Sequence, residues 1–500
     1  MQGECRPWFL RTEREGKRAV MTLSALIPIL PLLILGLGAV VVMLQAAFYR
    51  HHALTWVLTL LIYLVALGSL PFVARTLPAK VTSLVLVDPY ALYFLGLMLA
   101  GGLIVAVLSF GYLRGGHGNA EEYYVLLLLA TLGAAVLVVS SHFATFFLGL
   151  ELLSVPLYVM ICYPKAGRAR LEAGFKYLIL SAAASAFLLL GMAFLYDQLG
   201  TLEFSGLMLA SSSPGSSHLF LLTGYGLLAV GVGFELALVP FHVWTPDVYQ
   251  GAPAPVSGFI ATVSKGSLFV LFLRLFGQAA IHSDRSLWWM FAVLCIASML
   301  AGNLLALVQS NLKRILAYSS IAHLGYLLIP FLALGPSARP AVAFYLTAYF
   351  AITLSAFGVV GALSSPEHEV EDLEEYRGLF YRRPGLAILL TMSLVALAGV
   401  PPTAGLLMKF YIVTAGMEAS LWFLLILLVI ASVVGVFYYL RVALVLFRRP
   451  SEEPLRSLPV RLLSRGEGIA LVVLAGIVMV LGVYPTPFLQ FLQRVVYPIG

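Results

Sequence analysis

Four ionisable side chains stand inside apolar runs long enough to cross a bilayer: Glu151, Glu235, Lys265 and Lys409. Each lies near a Gly or Pro able to interrupt a helix. A charge at bilayer depth costs about 2.5–3.5 kcal/mol on insertion scales, and more when it is neither paired nor hydrated. A chain that carries four of them, with both signs present, has a use for them. The chemistry they suit is reversible protonation, and with it the passage of protons or small ions across a membrane.

The sequence around each charge refines this reading. Glu151 is nine residues into its run, in Phe147-Leu148-Gly149-Leu150-Glu151-Leu152-Leu153, where lipid exposure is untenable. Lys265 follows Thr262-Val263-Ser264 about ten residues from either end of its span, too deep for its amine to reach water by snorkelling. Lys409 follows the pair Pro401-Pro402, and a broken helix beside a lysine is what a gated half-channel needs, because freed backbone groups hydrate. His323 is a natural relay, since imidazole titrates near neutrality. His242 is similar and sits just after Pro240. Lys176 has two readings: relay, or a surface lysine that snorkels or pairs with Glu172 one turn earlier. Arg274 and Arg441, near span ends, read as snorkelling anchors. The acidic run from Glu367 to Glu375 reads as a solvated or subunit-contacting face rather than a metal site.

The elements that must position these residues are transmembrane helices. Of 500 residues, 61% are hydrophobic and 11% charged, and mean hydropathy is +0.98. Soluble domains carry about 25% charged residues. The apolar runs are continuous rather than alternating, which excludes an outer-membrane barrel. The fold class is therefore an all-α polytopic membrane protein with about 14 transmembrane helices. Two predicted spans, 219–247 and 385–416, contain Val239-Pro240 and Pro401-Pro402 and should break within the membrane. These breaks are about 160 residues apart, each in the fourth span of a five-span block. That spacing predicts two inverted five-helix repeats, each containing a broken helix, the design in which ion sites sit at discontinuous helices. The expected divisions are 1–20, an N-terminal extension; 21–118, helices 1–3; 119–280, the first repeat; 281–449, the second repeat; and 450–500, a loop and helix 14.

Basic residues concentrate in alternate loops, with Arg114, Arg168, Arg170, Lys313, Arg314, Arg382 and Arg383 on one side. This bias puts those loops in the cytoplasm and both termini outside. Residues 1–20 contradict it with Arg6, Arg11, Arg14, Lys17 and Arg18, so Met21 is the expected start of the functional chain. The same distribution explains the net charge of +7 without nucleic acid as a partner. Cys5, Cys162 and Cys295 are isolated and form no disulfide, iron–sulfur or zinc pattern. No dinucleotide or phosphate-binding glycine motif is present, so no nucleotide or electron carrier is expected on this chain.

Three motifs carry a family resemblance. The stretch from Phe241-His242-Val243-Trp244-Thr245-Pro246-Asp247 to Pro255-Val256 closely resembles the signature of the subunit N family of the proton-pumping NADH–quinone oxidoreductase, respiratory complex I. Asn311 to Tyr326 is similar to a second block of that family, and Gly399-Val400-Pro401-Pro402-Thr403-Ala404-Gly405 through Lys409-Phe410 to a third. The resemblance implies a non-redox membrane-arm subunit that moves protons in response to quinone reduction elsewhere. It implies a proton relay of Glu151, Lys176, Lys265 and Lys409, with Lys265 central and Lys409 toward the outside; the full candidate relay adds His323 and Glu235 from the reading of the residues themselves. It also implies no cofactor on this chain, NADH, FMN, iron–sulfur clusters and quinone on other subunits, and partners among the other membrane-arm subunits and the lipid bilayer. The expected location is the bacterial inner membrane. The alternative is a subunit of a multi-subunit Na+/H+ antiporter or of a membrane-bound hydrogenase. One position departs from the pattern: Glu235 stands where the family has a lysine that pairs with the glutamate at Glu151. Two nearby carboxylates do not both ionise readily, so either the pKa of one should rise or Lys176 should neutralise one of them.

Overall fold

A computed structural model describes residues 23–114, 120–163, 167–207, 217–277, 284–333, 335–449 and 463–496. The N-terminal extension and most of the segment before the last span lie outside the described residues. Backbone polar groups in hydrocarbon must be satisfied within the element, so the apolar runs form helices. In chain order they are α1 (Leu26–Phe48), α2 (His52–Ala74), α3 (Pro89–Arg114), α4 (Glu121–Val139), α5 (Phe143–Cys162), α6 (Arg168–Leu199) and α7 (His218–Glu235). After the short α8 (Trp244–Gly251) come α9 (Ala254–Gly277), α10 (Arg285–Leu307), α11 (Leu312–Ala333) and α12 (Ala338–Leu363). Two half-helices, α13 (Pro384–Ala398) and α14 (Ala404–Glu418), precede α15 (Trp422–Phe447), α16 (Arg465–Val483) and α17 (Thr486–Val496). Among the described residues, 13 of these helices are long and apolar enough to cross a membrane. The paired half-helices α13 and α14 supply the remaining predicted span. A two-stranded antiparallel ribbon, β1 (Ala79–Lys80) with β2 (Leu86–Val87), fills the loop between α2 and α3.

Burial separates an inner from an outer set. In α9, α11 and α12, 94% of the most apolar stretch is buried, against about a third in α1, α2 and α16. The inner helices carry Lys265 and His323, so those groups are shielded on all sides by protein. Close approach between neighbours depends on small residues. A methyl group on Gly302 of α10 would lie 2.6 Å from the Ala322 backbone nitrogen of α11, and one on Gly325 of α11 2.7 Å from that of Met299.

Both interruptions occur where the prolines predict them, with sharper boundaries. The predicted seventh span, 219–247, is not one helix. Its first part stops at Glu235, irregular chain runs through Pro240, and helix resumes at Trp244. Ala237 in this break is left-handed, φ 57°, and buried. In the second break Gly399 adopts φ 87°, which glycine accepts without a Cβ penalty, and its N–H donates to Val395 and Ala396. The predicted last span, 467–490, closes at Val483 because Pro485 cannot continue it, and α17 follows as a separate helix.

The second break also folds α14 tightly onto α13. A Cβ at Gly405 would come within 1.6 Å of the Ala396 carbonyl oxygen. Gly405→Ala should therefore destabilise the protein by about 1–3 kcal/mol through forced separation of the half-helices. Gly385→Ala, where nothing lies within 4 Å of the added carbon, is the control and should be near neutral. Thermal unfolding of the purified variants in detergent checks this; equal melting temperatures would reject the packing argument.

Candidate functional site

The first group of site residues assembles on one face of α6. Ser181 and Ser185 are four residues apart and so point the same way. The Ser181 hydroxyl donates to Glu235 Oε1 (2.9 Å) and the Ser185 hydroxyl to Glu151 Oε1 (2.9 Å). Tyr177, one turn before Ser181, also donates to Glu235, at 3.4 Å. Tyr158 of α5 donates to Ser181 Oγ at 2.8 Å. The two acids are thus brought together through a hydroxyl ladder, at the end of α7 and the middle of α5, without an ion pair.

Lys176 neutralises neither acid, which removes one of the two ways the sequence offered for the acids to coexist. Its amine pairs with Glu172 (2.8 Å) and with Asp247 of α8 (3.0 Å), and its side chain is 43% exposed. The local pair with Glu172 was the competing reading, and the geometry favours it because α6 starts at Arg168, which leaves Lys176 close to the helix end. Asp247 in turn holds Arg314 of α11 at 2.8 Å, so it links the two halves of the chain.

Lys265 lies directly after a π-helical turn, Ile260–Ser264, inside α9. Such turns are frequent at functional sites because they leave backbone groups re-aimed. Its amine donates to Ser320 Oγ (3.1 Å) and lies over the rings of Tyr249 (5.1 Å) and Trp244 (5.7 Å). Ser320, His323 and Tyr326 follow at helical spacing on α11. His323 Nδ1 bonds with the Tyr345 hydroxyl (2.6 Å) and Nε2 with that of Tyr439 (3.3 Å), which is also bonded to Ser319. A cavity of about 10 Å³ lined by Lys265, Thr262, His323 and Tyr349 separates the lysine from the histidine. That is close to the space one water needs.

Lys409 completes the row. The second helix break leaves the Ala398 carbonyl free, and the Lys409 amine donates to it at 2.7 Å and to Ser432 Oγ at 2.6 Å. The same amine lies 5.9 Å above the ring of Tyr326, whose hydroxyl accepts from Asn303 at 2.8 Å. Neither Lys265 nor Lys409 takes part in any ion pair among the described residues. At the first break the equivalent role falls to an indole: Trp244 Nε1 donates to the Phe234 carbonyl at 2.9 Å. His242 lies in that break and its Nδ1 is buried without a hydrogen-bond partner among the described residues.

Three expectations need correction. Arg274 is not a snorkelling anchor; it is buried and donates to the Leu86 carbonyl (3.0 Å) and Asp88 (2.8 Å). Arg441 caps the end of α10 through the carbonyls of Leu307 and Gln309 rather than reaching for water. The acidic run is not a uniformly solvated face. Glu369 turns inward, with Lys313 at 3.0 Å, Arg170 at 3.9 Å and the Tyr112 hydroxyl at 2.5 Å. Lys313 also donates to the Ala252 carbonyl, in the turn that starts α9. The sequence reading missed Tyr345, Tyr439, Ser320, Ser181 and Ser185. Of these only Ser320 stands at helical spacing, three residues, from a residue already singled out, His323.

A polytopic helical protein whose buried amines rest on hydroxyls and on a carbonyl freed at a helix break is built like an ion transporter with discontinuous helices. The profile of the family described as "NADH:quinone oxidoreductase/Mrp antiporter, TM" matches residues 140–435. The chain is 47% identical over 480 residues to the NADH-quinone oxidoreductase subunit N of Ectopseudomonas mendocina (strain ymp), covering 95% of this chain and 97% of that one. A chain in the structure of respiratory complex I from Thermus thermophilus with bound aureothin superposes with a TM-score of 0.79 at 33% identity, over 92% of this chain and 98% of that one. A chain of the Mrp complex from Dietzia sp. DQ12-45-1b shares the fold, with a TM-score of 0.81 at 19% identity over 95% and 97% of the two chains. The chain belongs to the NADH:quinone oxidoreductase/Mrp antiporter transmembrane family, and within it to the subunit N family of the NADH–quinone oxidoreductases.

The two lysine environments at these helix ends predict different costs. Lys176→Ala removes a half-exposed pair and should cost less than about 1 kcal/mol. Lys313→Ala leaves Glu369 buried with the Tyr112 hydroxyl and an arginine 3.9 Å away as its partners, and should cost about 3–5 kcal/mol. Melting temperatures of the two variants measured together test this, and a Lys313→Ala protein as stable as the wild type would sink it.

Proposed function

We propose that this chain is a proton-translocating membrane-arm subunit of NADH–quinone oxidoreductase, with quinone reduction on other subunits coupled to proton transfer through its buried lysines and glutamates. The observation that carries this reading is the row from Lys265 through Ser320, His323 and Tyr326 to Lys409, two amines held by neutral partners at the core of the bundle. An amine stabilised by hydroxyls, rings and a carbonyl has no carboxylate to lock it in the charged form, so it can give up and regain a proton. Lys265 is the central relay and Lys409 the exchange group toward the outer side. His323 lies between them, and Glu151, Glu235 and Lys176 form the charged group at the other end.

On this reading the chain itself carries no redox group. NADH, FMN, iron–sulfur clusters and quinone belong to its partners, the other subunits of the complex. Residues 119–280 and 281–449 act as the two inverted repeats, one broken helix in each. The membrane is the bacterial inner membrane, with both termini on its outer side. The competing reading, a subunit of an Na+/H+ antiporter or a membrane-bound hydrogenase, is disfavoured by the 47% identity to a subunit N, whereas the Mrp likeness supports the fold alone.

Quinone-driven proton uptake by the intact complex in sealed vesicles tests the relay. Lys265→Ala and Lys409→Ala should each lower uptake by more than half while leaving the assembled complex intact. Glu235→Ala should lower it less, because the Ser185–Glu151 pair remains. Uptake at wild-type rates in both lysine variants would overturn the reading and leave a scaffold with the same fold.

A further inference from the structure

A small cavity lies at the starts of α3 and α12 and the end of α9, the opposite end of these helices from Glu369 and Lys313. Its volume is about 80 Å³. That is room for a few waters or one tetrahedral group, and too little for a nucleotide or a sugar. Its charged lining is Arg274 near the end of α9, Arg339 at the start of α12 and Asp88 just before α3. The lining therefore carries one positive charge in excess.

The bonding leaves that charge on Arg339. Asp88 is already committed: its Oδ1 accepts from the Ala91 N–H at the start of α3 (2.7 Å) and from Arg274 (2.8 Å). Arg274 is buried and is also tied to the Leu86 carbonyl of β2. Arg339 is exposed, and among the described residues no carboxylate or carbonyl accepts from it. Its guanidinium lies 5.9 Å from the centre of the Tyr90 ring, and that of Arg274 lies 5.7 Å from the same ring. A ring face attracts a cation without neutralising it. Two guanidiniums thus meet at one tyrosine with a single carboxylate between them. The planar fork of arginine matches phosphate oxygens two at a time, so the anion that fits this space and charge is a phosphate group.

The helix next to the cavity indicates the source of that phosphate. α17 packs on the same ends of α3 and α12: Phe491 meets Tyr93, one turn on from Tyr90, at 6.2 Å, and Phe488 meets Phe344 at 5.9 Å. It buries Leu492 and Val496 and leaves Gln490, Gln493 and Arg494 exposed. A short amphipathic helix of this kind lies in the interface plane of a bilayer, and tyrosines are enriched at the same level. The cavity therefore opens among lipid headgroups.

We propose that Arg339, with Arg274 and Tyr90, binds the phosphate of an anionic phospholipid headgroup. The phosphate takes the free donors of Arg339 and rests against Arg274, which Asp88 and Leu86 hold in place. Inorganic phosphate shares this chemistry without the acyl chains and is the other source of such an anion. No residue of the relay lines the cavity, so the site stands apart from the proton-translocation reading.

The test follows phenylglyoxal modification of single arginines in the intact complex in maltoside detergent, read by peptide mass spectrometry. Arg285, exposed at the start of α10 and outside the cavity, is the internal reference. Added phosphatidylglycerol should slow modification of Arg339 about fivefold relative to Arg285, the effect of one lipid charge beside one arginine. Phosphatidylcholine, with no net charge, and inorganic phosphate should leave the ratio nearly unchanged. Gly277→Glu adds an acid to the lining where nothing lies within 4 Å of the added carbon, and should abolish the protection. Equal protection by inorganic phosphate would overturn the lipid and assign the site to the free anion. Equal slowing of Arg339 and Arg285, no slowing of either, or full protection in Gly277→Glu would reject the site, as would an Arg339 that the reagent never reaches.

Discussion

The structure turns on how an amine can be buried in a membrane protein without a counterion. Moving a charge out of water costs several kcal/mol unless polar groups surround it. Lys265 and Lys409 are surrounded by hydroxyls, aromatic faces and one backbone carbonyl. Such partners accept from the ammonium while remaining compatible with the neutral amine, which an adjacent carboxylate would not be. The helix break before α14 is part of this solution, because an unbroken helix would have used the Ala398 carbonyl within its own ladder.

The same requirement arranges the inner helices. Tight contacts at Gly302 and Gly325 draw α10 and α11 together, so that α11 presents Ser320, His323 and Tyr326 to α9, α12, α14 and α15. Asp247 and Glu369 then tie the ends of these helices across the chain. The ion pairs are therefore kept at the helix ends, and the two inner amines, Lys265 and Lys409, are left to neutral partners.

Much of this was legible in the sequence. Charges inside apolar runs marked the site, and Pro240 and Pro401-Pro402 marked both breaks. Helix number followed from run length and hydropathy. What was not legible depended on the third dimension. Nothing in the local pattern says that Lys176 faces Asp247, seventy-one residues away, rather than Glu235. Glu369 looked like its neighbours in an acidic loop, and only the fold shows Lys313 and Arg170 behind it. The hydroxyl residues were hardest to read, since serine and tyrosine in an apolar helix usually bond their own backbone or pack without a special role.

The indole of Trp244 has a consequence for how the two ends of the chain communicate. Its ring stacks on Tyr177 at 4.7 Å, on the side of Glu235, and lies 5.7 Å from the amine of Lys265. Among the described residues no hydrogen bond joins the hydroxyl ladder of α6 to the partners of Lys265. The ring therefore resembles the insulating plate of a capacitor. A change of charge on one side is felt on the other as a potential, while the plate itself carries no current. In that arrangement one aromatic side chain stands between the two groups and offers no proton acceptor of its own.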